Sequence, residues 1–299
     1  MKLRIVLLLM SILSAGTVLA DNRALLVGIG DYDESVTGFN RIHGNNDVEL
    51  IRRKLNGFSV SCLIDARATK KNILHSLNTL CDNTRKGDVV YLHFSGHGQL
   101  VQDFNSDEHE GPDQAFVCYD ACRECNYRGS GYRGENHLID DELFPYLNKL
   151  KKRVGRTGWL IVIFDSCFSG DSDRGEMICE PHDNSAIEWL ETTRGTDTVF
   201  AVNQSAKTYL RTIVPPGNYS KSGGHVIIIS ACASDSKNYE SRDLLTMTDY
   251  GTLSLCISKM LDKKIPFAQW PEFFRSGSYR KLEVFPPYQV PVVKEIKPR

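Results

Sequence analysis

The sequence lacks an excess of charge of either sign and, beyond its first twenty residues, lacks any long apolar run. Its 299 residues carry 36 Lys and Arg against 37 Asp and Glu, a formal net charge of −1. Without a basic excess, the charge does not indicate binding to nucleic acid or to an anionic membrane surface. No later apolar run approaches the roughly 20 residues that span a bilayer. We therefore predict a soluble protein with no nucleic-acid or membrane partner.

The N-terminus predicts export. Lys2 and Arg4 precede an apolar stretch, and Val18 and Ala20 stand where a signal peptidase reads small residues. This pattern is typical of a cleavable signal peptide over residues 1–20, which is too short to be a spanning helix. Because no cysteine lies at the cleavage point, a lipoprotein anchor is not indicated. We expect a secreted or periplasmic protein after cleavage near Ala20.

Cysteine is present but too sparse for a disulfide scaffold. Nine cysteines in 299 residues fall well below the roughly 8% typical of such folds, so an apolar core must stabilise the protein. Three cluster at Cys118, Cys122 and Cys125, where we favour a disulfide over a zinc site with His137, because structural zinc sites usually show two paired ligand clusters. Cys232 follows an apolar run and is interpreted as a buried core residue.

Short apolar runs alternate with helical patterns. Strands are predicted over 23–29, 88–94, 159–164 and 225–230, with weaker candidates over 58–64 and 114–119. Helices are predicted over 46–56, 70–82, 139–150, 185–192 and 250–262. The continuous apolar strands are typical of a sheet buried on both faces. The alternation predicts an α/β fold whose mostly parallel central β-sheet is flanked by helices on both faces.

The same pattern predicts one main domain over residues 21–262. Two polar segments, 103–137 and 168–224, interrupt the alternation, and long segments of this kind are usually functional loops or linkers. The extension over 263–299 is expected to pack on the domain, with "YQVPVV" as a possible last extended segment.

Two strand ends carry the residues of a nucleophilic site. His97 follows the strand "VVYLHF", and Cys167 follows "LIVIF" at the equivalent distance. Residues just beyond the carboxyl ends of parallel strands line the ligand crevice, so these two side chains face each other if the strands are neighbours. A thiolate is the nucleophile, and an imidazole accepts its proton and later protonates the leaving amine. Backbone N–H groups of Gly98 and Cys167 are candidates for an oxyanion hole.

These motifs resemble the caspase-like cysteine peptidases, and among them the metacaspases. The resemblance rests on "YLHFSGHGQ" and "IFDSCFSG", extends to "HGNNDVELI", "LIDDEL", "VIIISACASDSKNYE" and "YGTLSLCI", and covers roughly residues 23 to 260. It implies a caspase-like fold, a catalytic dyad of His97 and Cys167, and Gly98 in the oxyanion hole. Phe168 departs from the His that metacaspases often have there, a position that is not catalytic in the family.

The resemblance also implies a specificity pocket. Asp47 and Asp165 match the acids of the metacaspase pocket, and we count Ser95 among the predicted substrate-binding residues. Two carboxylates in one pocket select a cation, and Arg can engage both with its planar fork. Metacaspases cut after Arg or Lys, so the expected partners are protein or peptide substrates with these residues at the cleaved position. We expect the protein to be a monomer. Alternatively, Asp47 is a helix N-terminal acid and Asp165 holds a turn.

Calcium and self-cleavage are further expectations of the resemblance. In many metacaspases the acids that match Asp140 and Asp141 help bind an activating calcium ion, with Asp113 and Asp173 as additional candidates here. Acids at the start of a helix are also stabilising without any ligand. The chemistry itself requires no cofactor. The segment 168–224 contains several basic residues after which the enzyme could cut itself: Arg174, Arg194, Lys207, Arg211 and Lys221.

Three alternatives stay open at this point. A clostripain-like or gingipain-like peptidase shares the His–Cys chemistry and the basic preference. A binding module that keeps the fold without catalysis usually lacks the His or the Cys, and this chain has both. A redox protein would need a Cys-x-x-Cys pair at a strand–helix junction, whereas Cys122 and Cys125 lie in a loop.

Overall fold

The structure is a computed structural model that describes residues 21–101, 113–122, 134–166, 187–193, 219–220, 222–232 and 237–298. For residues 100, 113 and 187–193 it describes the backbone alone. The predicted signal peptide lies outside the described residues. Within them, no helix is long and apolar enough to span a bilayer.

A six-stranded sheet forms the centre of the molecule. Its strands, in spatial order, are β12 (Val292–Ile296), β9 (His225–Ser230), β7 (Trp159–Asp165), β3 (Val89–Ser95), β1 (Asn22–Gly28) and β2 (Phe58–Ile64). Five strands are parallel, and β12 alone pairs antiparallel, with β9. The predicted mostly parallel sheet is therefore confirmed, and the weaker candidate over 58–64 is one of its two edge strands.

In the described residues, six α-helices accompany the sheet: α1 (Glu34–Thr37), α2 (Gly44–Lys54), α3 (Lys70–Asn83), α4 (Asp140–Val154), α5 (Thr252–Asp262) and α6 (Trp270–Arg275). Alternate residues of each strand point to opposite faces, so the apolar strands supply two cores. Leu25 and Val27 of β1 pack with α3 and α4. Ala24 and Leu26 pack with α2, α5 and α6 on the other face. Because both faces are covered, the strands read as continuous apolar runs rather than alternating ones.

Two small antiparallel sheets lie beside the central one. The first contains β4 (Gly98–Val101), β5 (Asp113–Val117) and β6 (His137–Ile139), and the second contains β8 (Ile187–Thr193), β10 (Tyr239–Asp243) and β11 (Thr248–Gly251). The predicted helix over 185–192 is wrong, because most of that segment is strand β8. Its sequence, "IEWLETT", contains β-branched and aromatic residues that favour a strand, and pairing with β10 satisfies the backbone groups along one of its edges.

The predicted disulfide in the 118–125 cluster is also wrong. Cys118 and Cys122 are both free thiols, and any disulfide within the cluster would need at least one of them; Cys125 lies outside the described residues. Cys118 is packed in the apolar core, where it acts as a small hydrophobe. The zinc alternative gains no support: His137 Nε2 is hydrogen-bonded to Gln99 Oε1 at 2.8 Å, and the described residues contain no cluster of three metal-ligating side chains. Cys232 is buried as expected.

The C-terminal segment packs on the domain and completes the central sheet. Trp270, Phe274 and Phe285 belong to the core formed with α2 and α5. The chain then reaches β12, which covers the edge of β9. The expected extended segment "YQVPVV" overlaps the start of this strand at Val292 and Val293.

Candidate active site

Strands β3 and β7 are direct neighbours in register. Ser95, the last residue of β3, is paired with Asp165, the last residue of β7, and Gly96 N donates to Asp165 O at 3.4 Å. His97 lies two residues beyond β3, and Cys167 follows β7 by the same number of residues in the sequence. Cys167 itself lies outside the described residues. The two chain segments that lead to the predicted dyad thus leave the sheet side by side.

His97 is fully buried and held by contacts that the sequence motifs did not indicate. Its Nε2 is 2.9 Å from the backbone oxygen of Asn40, and its ring packs against both Tyr32 and Phe39, with centroid distances of 5.0 and 5.5 Å. A carbonyl oxygen only accepts, so Nε2 must carry the proton in the neutral imidazole. Nδ1 is then the basic nitrogen, and the Asn40 carbonyl fixes the tautomer that a general base requires.

Asp47 reaches the end of β3 because α2 begins very close to it. A Cβ on Gly44, the first residue of α2, would overlap the backbone oxygens of Ile29 and Ser95, so glycine permits this approach. Asp47 lies in the first turn of α2 and is fully buried. Its Oδ2 accepts from Ser95 Oγ at 2.5 Å, and its Oδ1 accepts from Gly251 N at 2.9 Å. The helix-acid interpretation and a place in the candidate pocket are therefore compatible.

Asp165 lies on the other side of Gly251. Its Oδ1 accepts from Asn238 Nδ2 at 2.7 Å, and its Oδ2 accepts from Ser254 N at 2.7 Å and Ser254 Oγ at 2.5 Å. These partners are 73 and 89 positions away in the sequence, so these bonds reach well beyond the local turn. A Cβ on Gly251 would overlap the Asp165 carboxylate. The structure thus brings Asp47, Ser95 and Asp165 together around one glycine.

A second layer of amides orients this cluster. Gln289 Nε2 lies 2.7 Å from Asn238 Oδ1 and 3.0 Å from Ala231 O, and it also contacts Thr252 Oγ1 at 2.8 Å. Asn238 bonds Asp165, so the C-terminal segment that carries Gln289 is connected to the acid pair. Sequence reasoning missed Gln289, because the motif blocks end before it.

A buried glutamate joins α2 to the β10–β11 hairpin. Glu240 is fully buried, and its carboxylate accepts from His43 N at 2.8 Å and lies 2.7 Å from His43 Nδ1. Nearby, Asn46 Nδ2 donates to Asp249 O at 3.0 Å. Glu240 and Asn238 both lie in the motif block "SKNYE", which signalled the region without assigning roles within it. These contacts fix the start of α2, and with it Asp47, against the hairpin.

Gly98, the predicted oxyanion-hole residue, is the first residue of β4. It is paired with Phe116 of β5, and the preceding carbonyl of His97 accepts from Val117 N at 3.0 Å. The backbone that carries both His97 and Gly98 is therefore held by a sheet rather than by a loose loop.

The candidate calcium ligands lie partly within the described residues. Asp140 and Asp141 are in the first turn of α4. Asp113 begins β5, in which Ala115 pairs with Ile139, the residue directly before Asp140. Asp140 and Asp141 therefore follow directly on the end of β6 that lies beside the start of β5 and Asp113, while Asp173 lies outside the described part of the chain. The oxygen-only donor set suits calcium, although two described carboxylates are fewer than the six to eight oxygens that this ion takes.

The parallel sheet, with a buried acid pair beside the strand ends that lead to a His and a Cys, is the arrangement of a cysteine peptidase. Comparisons with known proteins identify its family. A sequence-family model described as "Caspase domain" matches residues 21–271. Because the match covers most of the sequence, the chain belongs to the caspase-domain family. Among solved structures it is similar to a protein from Geobacter sulfurreducens (TM-score 0.58, 18% identity, 93% of this chain and 94% of that one). It is also similar to caspase-1 from Spodoptera frugiperda (TM-score 0.52, 12% identity, 92% and 88%). At these identities the likeness shows the fold alone.

Similar curated proteins include metacaspases. Metacaspase-1B of Aspergillus fumigatus is 37% identical over 103 residues, which are 34% of this chain and 22% of that protein. Metacaspase-3 of Arabidopsis thaliana is 30% identical over 135 residues, 43% of this chain and 33% of that protein. The chain thus spans between about a fifth and a third of the length of these relatives.

Proposed function

We propose that the protein is an exported cysteine endopeptidase of metacaspase type that hydrolyses peptide bonds after Arg or Lys. The observation that carries the proposal is the meeting of two buried carboxylates, Asp47 and Asp165, at Gly251. They lie directly beside the strand ends that lead to His97 and Cys167. Family membership supports the reaction class, and the acids support the basic specificity.

The proposed reaction uses His97 as the base and Cys167 as the nucleophile. Nδ1 of His97 accepts the thiol proton, and the thiolate attacks the carbonyl carbon of the scissile bond. Backbone N–H groups of Gly98 and Cys167 stabilise the oxyanion. The amine leaves with the proton from His97, which then activates water to release the acid from the thioester. The Asn40 carbonyl supports both steps by stabilising the imidazolium and holding the ring in one orientation.

The proposed specificity follows from the charge of the acid pair. Ser95, Gly251, Asn238 and Ser254 donate to these carboxylates, and all four are neutral donors. Their hydrogen bonds orient the carboxylates without cancelling the negative charge. A guanidinium or ammonium group is attracted to this site, whereas an aspartate side chain is repelled by it.

Calcium activation and export complete the proposal. Asp140, Asp141 and Asp113 lie at one end of the β5–β6 pair, and oxygen ligands of this kind suit calcium, which an exported protein meets in its surroundings. When bound, the ion would stabilise the segments that join this sheet to the site. The N-terminal signal pattern supports export.

The test is hydrolysis of fluorogenic peptides that differ only in Arg, Lys or Asp at the cleaved position. Each peptide is incubated with the purified chain from Asp21 onward, with calcium or with chelator, beside the Cys167→Ala variant. We expect turnover after Arg and Lys that disappears in the variant. Turnover only after Asp would exclude the roles of Asp47 and Asp165.

Alkylation with iodoacetamide distinguishes the enzyme from a catalytically silent module. Burial raises the pKa of the thiols of Cys62, Cys118, Cys122 and Cys256 and raises that of Cys81 to about 11, so these groups react slowly at neutral pH. Fast labelling that maps to Cys167 supports a catalytic thiolate. Slow labelling at Cys167 together with no turnover would favour the silent module. The caspase-domain match already favours this family over the clostripain-like and gingipain-like alternatives.

A further inference from the structure

The chain between β1 and α2 supplies much of the surroundings of His97. We call residues 29–43 the β1–α2 loop. The Asn40 carbonyl of this loop lies 2.9 Å from His97 Nε2. The Tyr32 and Phe39 rings pack against the imidazole, and the Tyr32 hydroxyl accepts from His97 N at 3.3 Å. The orientation of the candidate base therefore depends on the position of this loop.

Asp65 joins the two ends of the loop from a neighbouring strand. It directly follows β2, which is paired with β1. Its Oδ1 accepts from Gly30 N at 2.7 Å and from Asp31 N at 2.9 Å, where the loop begins. Its Oδ2 accepts from Asn45 Nδ2 at 3.2 Å, just beyond the other end. One carboxylate thus connects the start of the loop to the start of α2.

The two ends of the loop converge closely at Gly30. Ile42 N, near the end of the loop, donates to Gly30 O at 3.1 Å. A Cβ on Gly30 would lie within 3.0 Å of Ile42 O and of Asn45 Oδ1. Because only glycine permits this approach, the crossing of the two ends is a built feature of the loop, and it lies at the point that the Asp65 carboxylate binds.

The backbone of Asp65 also indicates a constrained position. Its φ of 45° lies in the left-handed region, which is costly for residues other than glycine. Such conformations persist where the surrounding contacts fix them, often near functional sites. An ion pair between Asp31 and Arg41 joins the same two ends, but both side chains are exposed and surface pairs contribute little. The Asp65 carboxylate is therefore the stronger tie.

We propose that Asp65 is a positioning residue for the candidate base: its carboxylate clasps the ends of the β1–α2 loop and thereby holds the Asn40 carbonyl in place on His97. The inference rests on the proposed peptidase function. Without the clasp the loop is free to shift, and Nε2 of His97 loses an acceptor at a fixed position. Nδ1 then no longer faces the thiol in a single orientation.

This role predicts a loss of turnover rather than of peptide binding. The acid pair is held by contacts from β3, α5 and the segment before β10, none of which belongs to the β1–α2 loop. A displaced loop should therefore lower kcat and leave KM for an Arg peptide nearly unchanged. A general loss of folded protein would lower the apparent activity of every substrate without this separation.

Two substitutions separate the carboxylate of Asp65 from its backbone. Glycine adopts a φ of 45° freely, so Asp65→Gly removes the side-chain hydrogen bonds without adding backbone strain. Asparagine tolerates the same backbone and keeps an oxygen that accepts from Gly30 N and Asp31 N. Lys264→Gly is the matched control, because Lys264 is an exposed residue with φ 53° beyond the end of α5.

The experiment measures kcat and KM for an Arg peptide, with the chain from Asp21 onward and calcium. In Asp65→Gly we expect kcat to fall by about 10- to 100-fold, since a displacement of about 1 Å at a reacting group can cost about 100-fold. Asp65→Asn should recover most of the wild-type kcat, and Lys264→Gly should keep it. Wild-type kcat in folded Asp65→Gly would overturn the inference.

Alkylation of Cys167 tests whether Asp65 acts through His97. The imidazole raises the thiolate fraction, so the rate of labelling with iodoacetamide reports on the base without any peptide. Asp65→Gly should slow the labelling when His97 is present and have no further effect in the His97→Ala background. Equal slowing in both backgrounds would contradict a role that passes through His97.

Asn45→Asp tests the clasp if Asp65→Gly does not fold. The new carboxylate keeps the Oδ1 that accepts from Asn46 N at 2.9 Å, and an acid in the first turn of α2 is favourable. It faces Asp65 with a like charge in place of an amide donor, so the ends of the loop repel each other. We expect a lower kcat in a protein that urea unfolding shows to be folded; a wild-type kcat would contradict the clasp.

Failure of the inference and failure of the proposed function give different results. A wild type that hydrolyses the Arg peptide, together with unchanged kcat in Asp65→Gly and Asn45→Asp, would overturn the inference and leave the function intact. No hydrolysis by the wild type, together with slow alkylation of Cys167, would overturn the peptidase itself.

Discussion

Replacing Gly251 with alanine should disrupt the acid pair from its centre. The backbone of Gly251 has φ −63° and ψ 141°, an extended conformation that alanine adopts freely. The added Cβ, however, would lie within 3.0 Å of three atoms of the Asp165 carboxylate. The cost of Gly251→Ala is therefore steric, and Asp165 has to move.

The hydrogen bonds of Asp165 give the expected loss of stability in Gly251→Ala. The carboxylate accepts one bond from Asn238 and two from Ser254, and a bond to a charged group contributes about 1.5–3 kcal/mol. Losing one or two of them would lower the free energy of unfolding by roughly 2–5 kcal/mol. Attraction between a carboxylate and a cation at 4 Å is about 4 kcal/mol at an effective dielectric constant of 20. Losing half of it reduces kcat/KM for an Arg peptide by about 30-fold, since each 1.36 kcal/mol is tenfold.

Two measurements test this reasoning: urea unfolding, and kcat/KM for Arg peptides. Gly57→Ala is the control, because Gly57 has φ +78° and no atom within 4 Å of its added Cβ. It should lose about 1–2 kcal/mol for the left-handed backbone and keep its activity. If Gly251→Ala were no less stable than the wild type and equally active on Arg peptides, the proposed geometry of the acid pair would be wrong.

Three further predictions concern the base, the metal and the pH dependence. His97→Ala should reduce turnover of Arg peptides by about 10²–10⁴-fold, the usual contribution of a general base. Asp140→Asn should raise the calcium concentration needed for half-maximal activity. Burial, followed by the charge of Lys70, lowers the pKa of His137 to about 3. The folded state therefore favours neutral His137. Above pH 6.5 the imidazole is neutral in the unfolded state as well, so protonation of His137 does not lower the free energy of unfolding there. Below that, the free energy of unfolding should fall by about 1.4 kcal/mol per pH unit until pH 3.

Each of these predictions has a matched control. His75→Ala changes an exposed histidine of α3 and should keep full turnover. Asp262→Asn removes an exposed carboxylate and should leave the calcium response unchanged. His137→Gln should show a smaller acid-induced loss of stability than the wild type, measured by urea unfolding at several pH values, whereas His75→Gln should follow the wild type. Equal acid sensitivity of His137→Gln and wild type would contradict burial of a neutral imidazole.

Local patterns in the sequence were sufficient for the central sheet and its order of elements. The run from Leu160 to Phe164 is apolar at every position because alternate residues enter two different cores, and that pattern is visible without any knowledge of neighbours. The predicted helix over 185–192 was wrong for the opposite reason. Its composition allows helix or strand, and the decision came from pairing with β10, whose residues lie about 50 positions further along the chain.

The sequence by itself determined the strand ends that carry His97 and precede Cys167, and the types of residue that surround them. Only the tertiary structure decided two further features of the site. The Asn40 carbonyl lies against His97, and Asp47 and Asp165 meet at Gly251. The physical reason is range. Strand and helix patterns repeat over a few residues, whereas these hydrogen bonds join segments 57 to 204 positions apart, and their geometry exists only once the helices have packed on the sheet.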